Sequence, residues 1–234
     1  MSPLLESIAF IPDGNRRFAQ KMNMPLAQAY ALGTQKAWEV VEWISSYPGI
    51  ATGTFYTLSL ENLQRSKEEL NVLFKIFDKE LEKVFTTDFF ERNGIALKFM
   101  GRLNAFPKPL REKMERAQKE TENNAQRTIH LALAYNGRTE ILDAAKRLAR
   151  EAKENKVDIE SLNEESFKNY LYSPLADPDM IIRTSGTQRL SGFLAYQSVY
   201  SELYFCPKYW PEFSREDLTN AIAEFEDRAR RFGK

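Results

Sequence analysis

Cysteine and histidine are almost missing from this chain, which has one of each, Cys206 and His130. A lone cysteine excludes an internal disulfide and any multi-cysteine zinc site. His130 lies in the apolar run Ile129-His130-Leu131-Ala132-Leu133, where a histidine reads as a core residue rather than a member of a Ser-His-Asp triad. No apolar run reaches the roughly 18 residues that a membrane-spanning helix needs. Net charge is missing too, since 33 basic residues balance 33 acidic ones. That balance gives no field to attract nucleic acid, so any anion must be recognised by local clustering. Neither Gly-x-x-x-x-Gly-Lys nor Gly-x-Gly-x-x-Gly occurs, which argues against a nucleotide site. Met1 to Ser7 lack the basic start and apolar stretch of a signal peptide, so a cytoplasmic protein is expected, at most loosely membrane-associated. With no repeat, no low-complexity segment and no Pro/Gly/Ser linker, residues 1–234 are expected to form one domain.

What is present is an alternation. Short apolar runs at Ile8–Ile11, Thr54–Leu58, Ala96–Met100, Thr128–Tyr135, Met180–Ile182 and Leu203–Phe205 predict six strands. Between and after them, helical spacing is read over Gly33–Ser46, Lys67–Phe90, Pro109–Asn123, Arg138–Asn155, Glu164–Tyr172 and Arg215–Arg231. Strand followed by helix, repeated, predicts an α/β fold: a central, mainly parallel six-stranded sheet flanked by helices. Such sheets hold ligands beyond the carboxyl ends of their strands. In Leu70–Phe90, Leu70, Leu73, Phe74, Phe77, Leu81 and Val84 share one helical face. That stripe fits a core helix, and it equally fits the wall of a hydrophobic tunnel.

Three polar clusters follow predicted strands. After Ile11 comes Pro12-Asp13-Gly14-Asn15-Arg16-Arg17-Phe18, a turn opening into a helix. Backbone N–H groups at such a junction, with two arginines, suit a phosphate, and Asp13 is placed to hold a cation against it. An ordinary solvated turn is the plainer alternative. After Leu58 comes Ser59-Leu60-Glu61-Asn62-Leu63-Gln64-Arg65, which also reads as a helix cap followed by surface residues. After Ile182 comes Arg183-Thr184-Ser185-Gly186-Thr187-Gln188-Arg189-Leu190-Ser191-Gly192, able to wrap an anion with side chains and N–H groups together. Glu202 is a second carboxylate that would share a metal with Asp13. Two anion clusters and a carboxylate pair point to two diphosphates with Mg²⁺ between them.

These segments resemble the cis-prenyltransferases, the undecaprenyl diphosphate synthases and their relatives, over nearly the whole chain. The likeness rests on Asp13-Gly14-Asn15-Arg16-Arg17, Ser59-Leu60-Glu61-Asn62 with Arg65, Tyr135-Asn136-Gly137-Arg138, Asp177-Pro178-Asp179 leading into Ile182-Arg183-Thr184-Ser185-Gly186, Arg189-Leu190-Ser191, Ser201-Glu202-Leu203-Tyr204-Phe205 and Trp210-Pro211-Glu212-Phe213, in the family's order. The resemblance implies sequential condensation of isopentenyl diphosphate with an allylic primer of the farnesyl or geranylgeranyl type. The product would be a long (Z)-polyprenyl diphosphate, used as a lipid carrier for glycan synthesis. It implies that Asp13, with Glu202, contacts Mg²⁺ and that Gly14, Asn15, Arg16 and Arg17 cradle the allylic diphosphate. Ser59, Leu60, Glu61, Asn62, Leu63 and Arg65 would line the reacting centre, with Asn62 catalytic. Arg183, Arg189, Leu190 and Ser191 would bind isopentenyl diphosphate. Arg231 in the Arg231-Phe232-Gly233 tail would reach a neighbouring subunit in a homodimer, and peripheral membrane contact would serve product release. The chain departs from the common pattern at Arg16 (often Gly), Phe18 and Leu63 (often Trp), Leu26 (often Arg), Tyr30 (often His) and Thr187 (often Glu). Phe18 and Leu63 keep an apolar wall, whereas Leu26 and Tyr30 change how the leaving diphosphate is held. Two other readings compete: a non-catalytic subunit, which would lack Asp13 and the Glu61-Asn62 pair, and an unrelated phosphatase or nucleotide hydrolase.

Overall fold

A computed structural model describes residues 4–124 and 126–228. All six predicted strands are present and all run parallel: β1 (Ser7–Ile11), β2 (Thr52–Ser59), β3 (Ile95–Met100), β4 (Arg127–Tyr135), β5 (Met180–Arg183) and β6 (Glu202–Phe205). Their order across the sheet is β3-β4-β2-β1-β5-β6. β1 is buried at every position, as expected of a central parallel strand covered on both faces. Its alternation divides the core. Ile8 and Phe10 join Phe55, Leu97, Ile129 and Ile182 on one face, and Ala9 and Ile11 join Tyr56, Ala132, Tyr135 and Ile181 on the other.

The helices are α1 (Asn15–Lys21), α2 (Leu26–Ser45), α3 (Lys67–Leu81), α4 (Lys83–Thr86), α5 (Phe89–Arg92), α6 (Lys108–Thr121), α7 (Gly137–Lys153), α8 (Glu164–Phe167) and α9 (Arg215–Asp227). α2, α6 and α9 cover the first face through Val40, Val41, Ile44, Leu110, Met114, Leu218 and Phe225. The second face is closed by Leu175, Phe193 and Leu194, with the fully buried Glu140 of α7 accepting from Tyr135 Oη at 2.5 Å, Tyr172 N at 3.1 Å and Gln197 Nε2 at 3.3 Å.

Helix ends differ from the sequence reading in several places; α9, read as running to Arg231, ends at Asp227 with Arg228 extended. α2 begins at Leu26, directly after Pro25, rather than at Gly33. The expected helix over Lys67–Phe90 is three helices. Thr86 and Thr87 donate their hydroxyls to the carbonyls of Glu82 and Lys83, at 2.9 and 2.7 Å, and Thr87 turns extended. The stretch Glu164–Tyr172 is α8 followed by a single 3₁₀ turn over Lys168–Tyr170. No helix among the described residues is long and apolar enough to cross a membrane.

Candidate active site

β1, β2 and β5 end beside one another, and the polar clusters that follow them meet at that edge. Gly14 has φ +102°, and a Cβ there would lie 2.7 Å from the Tyr209 ring, so only glycine fits the turn. Thr184, at the end of β5, fixes this turn from below: its hydroxyl accepts from Asp13 N at 2.9 Å and donates to Asp13 O at 2.7 Å. Trp210 completes the lock, donating N–H to Asp13 O at 3.0 Å and Nε1–H to Gly33 O at 2.7 Å. α1 has only seven residues, so the positive charge of the cradle comes mainly from its arginines.

Arg183 is the hub. Only 4% exposed, it donates from Nη2 to Asp13 Oδ2 at 2.8 Å and from Nη1 to Ser191 Oγ at 2.9 Å and to the Arg189 carbonyl, while its buried Nε has no protein partner. Arg17 lies 3.3 Å from the same carboxylate oxygen and donates to Ser185 Oγ at 2.6 Å. Burial alone would raise the Asp13 carboxyl. Hydrogen bonds from Arg183 and Ser185, with the charges of Arg183 and Arg17, outweigh it and hold the group below its ordinary range. Ser185 and Ser191 both have positive φ, 76° and 52°, an uncommon backbone for serine that recurs at functional sites.

β2 brings in the second cluster. Its register against β4 shifts between Tyr56 and Ser59, the kind of irregularity that re-aims side chains at a strand's end. Ser59 and Asn62 then close on each other: Asn62 N donates to Ser59 Oγ at 3.2 Å and Ser59 N to Asn62 Oδ1 at 3.3 Å. Glu61 accepts from Asn136 Nδ2 at 2.6 Å. Tyr30 donates to Glu69 Oε1 at 2.6 Å and accepts from Arg65 Nη1 at 2.9 Å, and Arg65 and Arg16 lie 3.2 and 3.8 Å from Glu69. Burial, then the bond to Glu69, raise the Tyr30 hydroxyl against the pull of Arg65, so it stays protonated. Asn15 Oδ1 is buried without a partner at the mouth, against Gly33, where a Cβ would fall 2.2 Å away.

Behind this edge opens a cavity of about 720 Å³. Asp13, Asn15, Arg16, Arg17, Arg183 and Ser191 form its mouth, and Leu73, Ile76, Phe77, Phe106, Leu131 and Leu133 its apolar depth. Of α3's residues only Leu81 is buried, so the helix turns an apolar face into open space.

Most sequence-predicted residues therefore meet. Asp13, Gly14, Asn15, Arg16, Arg17, Tyr30, Ser59, Glu61, Asn62, Arg65, Arg183 and Ser191 all line the cavity. Phe18 does not; it packs with Ala19 and Ala29 against Leu26 and Tyr209. Leu60 and Leu63 pack on the first core and Leu190 on the second. Arg189 lends its carbonyl to Arg183, while its residue is exposed. Glu202 is not brought to Asp13 within the chain. It pairs with Met180 at the start of β5, whereas Arg183 pairs with Ile11, so three residues of strand, about 10 Å, separate their levels. Its carboxylate instead accepts from Arg228 Nη1 at 2.8 Å. Arg231 lies outside the described residues. Sequence reasoning missed Thr34, Ala37, Trp38 and Val41, which continue the cavity wall from Tyr30 at helical spacing, and it missed Glu69 and Glu80 on α3.

The comparisons agree with this geometry. The family model described as "Putative undecaprenyl diphosphate synthase" matches residues 11–233. A tritrans,polycis-undecaprenyl-diphosphate synthase (geranylgeranyl-diphosphate specific) from Thermoplasma acidophilum is 41% identical over 99% of this chain and 90% of its own length. The Pyrococcus furiosus enzyme of the same name is 42% identical over 97% of this chain and 86% of its own. The crystal structure of lavandulyl diphosphate synthase from Lavandula x intermedia with dimethylallyl diphosphate superposes with a TM-score of 0.92 at 28% identity, covering 99% of both chains. With sequence and fold matched from end to end by prenyl diphosphate synthases, and an acidic-basic cradle set over an apolar cavity where that chemistry needs one, this chain belongs to the undecaprenyl diphosphate synthase family and is a prenyltransferase of the cis type.

Proposed function

We propose that the enzyme extends a geranylgeranyl-type allylic diphosphate with isopentenyl diphosphate to a long (Z)-polyprenyl diphosphate. The observation that carries this reading is one continuous cavity, charged at its mouth and apolar in its depth. Size supports the primer. A cavity of ~150 Å³ lined by apolar side chains holds a benzene. On that scale, about 720 Å³ accommodates roughly four to five six-carbon groups, which suits a primer of this class. The relatives named above are specific for geranylgeranyl diphosphate.

In this reading Gly14, Asn15, Arg16, Arg17 and Arg65 hold the allylic diphosphate, and its tail enters between α2 and α3. Arg183, Arg189 and Ser191 hold isopentenyl diphosphate. Mg²⁺ fits the mouth: Asp13 is kept ionised and partly open, and this ion characteristically takes one or two carboxylates with substrate phosphates. When bound, it would neutralise charge developing on the departing diphosphate. The arginines stabilise that same charge, at ~3–4 kcal/mol per well-placed donor. The isopentenyl double bond attacks the allylic carbon and a proton leaves the adduct. Asn62, fixed by Ser59, orients the substrate, and as a neutral amide it is a poor base, so a diphosphate oxygen or water receives the proton. We assign the product as a lipid carrier for glycan synthesis, made by a cytoplasmic homodimer that touches the membrane to release it.

The test is incubation with labelled isopentenyl diphosphate, Mg²⁺ and dimethylallyl, farnesyl or geranylgeranyl diphosphate, with chromatography of the products. Long cis products, formed fastest from the geranylgeranyl primer, are expected. No elongation from any primer would overturn the assignment.

A further inference from the structure

The deep end of the cavity carries a charge that the chemistry at the mouth does not use. Among the described residues three carboxylates line the cavity: Asp13 and Glu61 at the mouth, and Glu80 far from it. Glu80 follows Glu69 by eleven residues on α3 and Trp38 follows Tyr30 by eight on α2, about 16 and 12 Å along the two helices. There the Trp38 indole donates Nε1–H to Glu80 Oε2 at 2.8 Å, and Lys83 Nζ lies 2.5 Å from the same oxygen. The indole is backed edge-on by Phe89 and Phe90, with ring centroids 6.1 and 5.5 Å away. A carboxylate with 15% of its side chain exposed, set beside Ile76, Phe77 and Val41, is costly unless paired, and here one oxygen is held by two donors. The contact pins a large aromatic ring across the wall formed by α2 and α3.

This matters because the cavity fits a primer and not a long product. Once the space is filled, each added isoprene unit must push the far end of the chain past Trp38 or stop there. Resting on the proposed function, we propose that Trp38, latched by Glu80, is a specificity-determining residue that sets product length. The hydrogen bond keeps the ring in the path of the growing chain. Elongation ends when moving the ring costs more than the next condensation supplies.

The experiment measures product-length distributions with geranylgeranyl diphosphate as primer. Glu80→Ala frees the ring, and Trp38→Phe keeps an aromatic group but removes the N–H. Both should shift the distribution to products longer by at least one isoprene unit. Glu80→Gln retains an acceptor for the indole and should give the wild-type distribution, which a charge-based role would not predict. Should Glu80→Ala fold poorly, Trp38→Phe carries the test. Unshifted products from the folded variants, or lengthening in Glu80→Gln as well, would overturn the latch. Absence of elongation by the wild-type enzyme in the same assay would instead overturn the proposed function, and the latch with it.

Discussion

Arg183→Met tests the electrostatics of the cradle most directly. The substitution keeps most of the side chain's apolar bulk, but it takes from Asp13 a hydrogen bond of 2.8 Å and the nearer of two positive charges. Burial, the largest influence on Asp13, then loses its main opponent. A neighbouring opposite charge lowers an aspartate, and Arg17 and Ser185 remain, so the Asp13 carboxyl is expected to rise part of the way back. If turnover needs ionised Asp13, the acid limb of kcat/KM moves to higher pH. Stability follows the same sign. The native carboxyl is depressed, so its contribution is present above the unfolded value near about 3.9 and is lost as pH falls through the native value. Losing the pair should cost about 2–3 kcal/mol at neutral pH, or a Tm lower by roughly 5–10 °C. The assays are labelled isopentenyl incorporation across about pH 3–7 (a range that brackets the ordinary aspartate value near about 3.9) and thermal unfolding of wild type and variant. An acid limb that stays in place while activity persists would refute the argument.

Other substitutions separate the parts of the site. Asp13→Ala should cut turnover by orders of magnitude with the circular dichroism spectrum unchanged, and near-normal activity would remove Asp13 from catalysis. Tyr30→Phe deletes a hydroxyl bonded to Glu69 and Arg65, so it should cost about 1–2 kcal/mol in denaturant unfolding and raise KM for the allylic primer more than for isopentenyl diphosphate. Arg189→Ala should do the reverse, raising KM chiefly for isopentenyl diphosphate; equal effects on both substrates would contradict two subsites. Gly33→Ala forces a Cβ to within 2.2 Å of Asn15 Oδ1, so both melting temperature and activity should fall, and an unchanged enzyme would show that this approach is not needed.

The strands were legible because buried parallel strands read as short apolar runs closed by polar turn residues, and each of the six runs falls within a strand of the sheet. Helix ends were less so. The break at Thr87 depends on hydroxyls bonding back to carbonyls, and an apolar stripe that continues through Phe89 and Phe90 hides it. At the site, residues following a strand could be placed by their motif. Pairs that meet only in space could not: Tyr30 with Glu69 and Trp38 with Glu80 are 39 and 42 residues apart. Glu202 could not be placed beside Asp13 within the chain for a related reason. Its motif names a carboxylate, but strand register decides which end of the sheet carries it, and register was not readable. Phe18 shows the limit of equating an apolar residue in a motif with a ligand wall, since it turned to α2 instead.

The two α2–α3 pairs also explain how the cavity survives. Leu73, Ile76 and Phe77 would each gain about 1.5–3 kcal/mol from full burial, so α3 has every reason to collapse onto α2 and the sheet. Collapse would force Glu69 and Glu80, with the charged groups that pair with them, into an apolar interior. Tyr30–Glu69 and Trp38–Glu80 bridge the two helices at a fixed spacing, while Arg65 and Lys83 pair with the same carboxylates locally. The polar pairs thus act as spacers, opposing the hydrophobic drive to fill the volume that the substrate chain needs. Stability given up in α3 is the physical counterpart of room for a hydrocarbon.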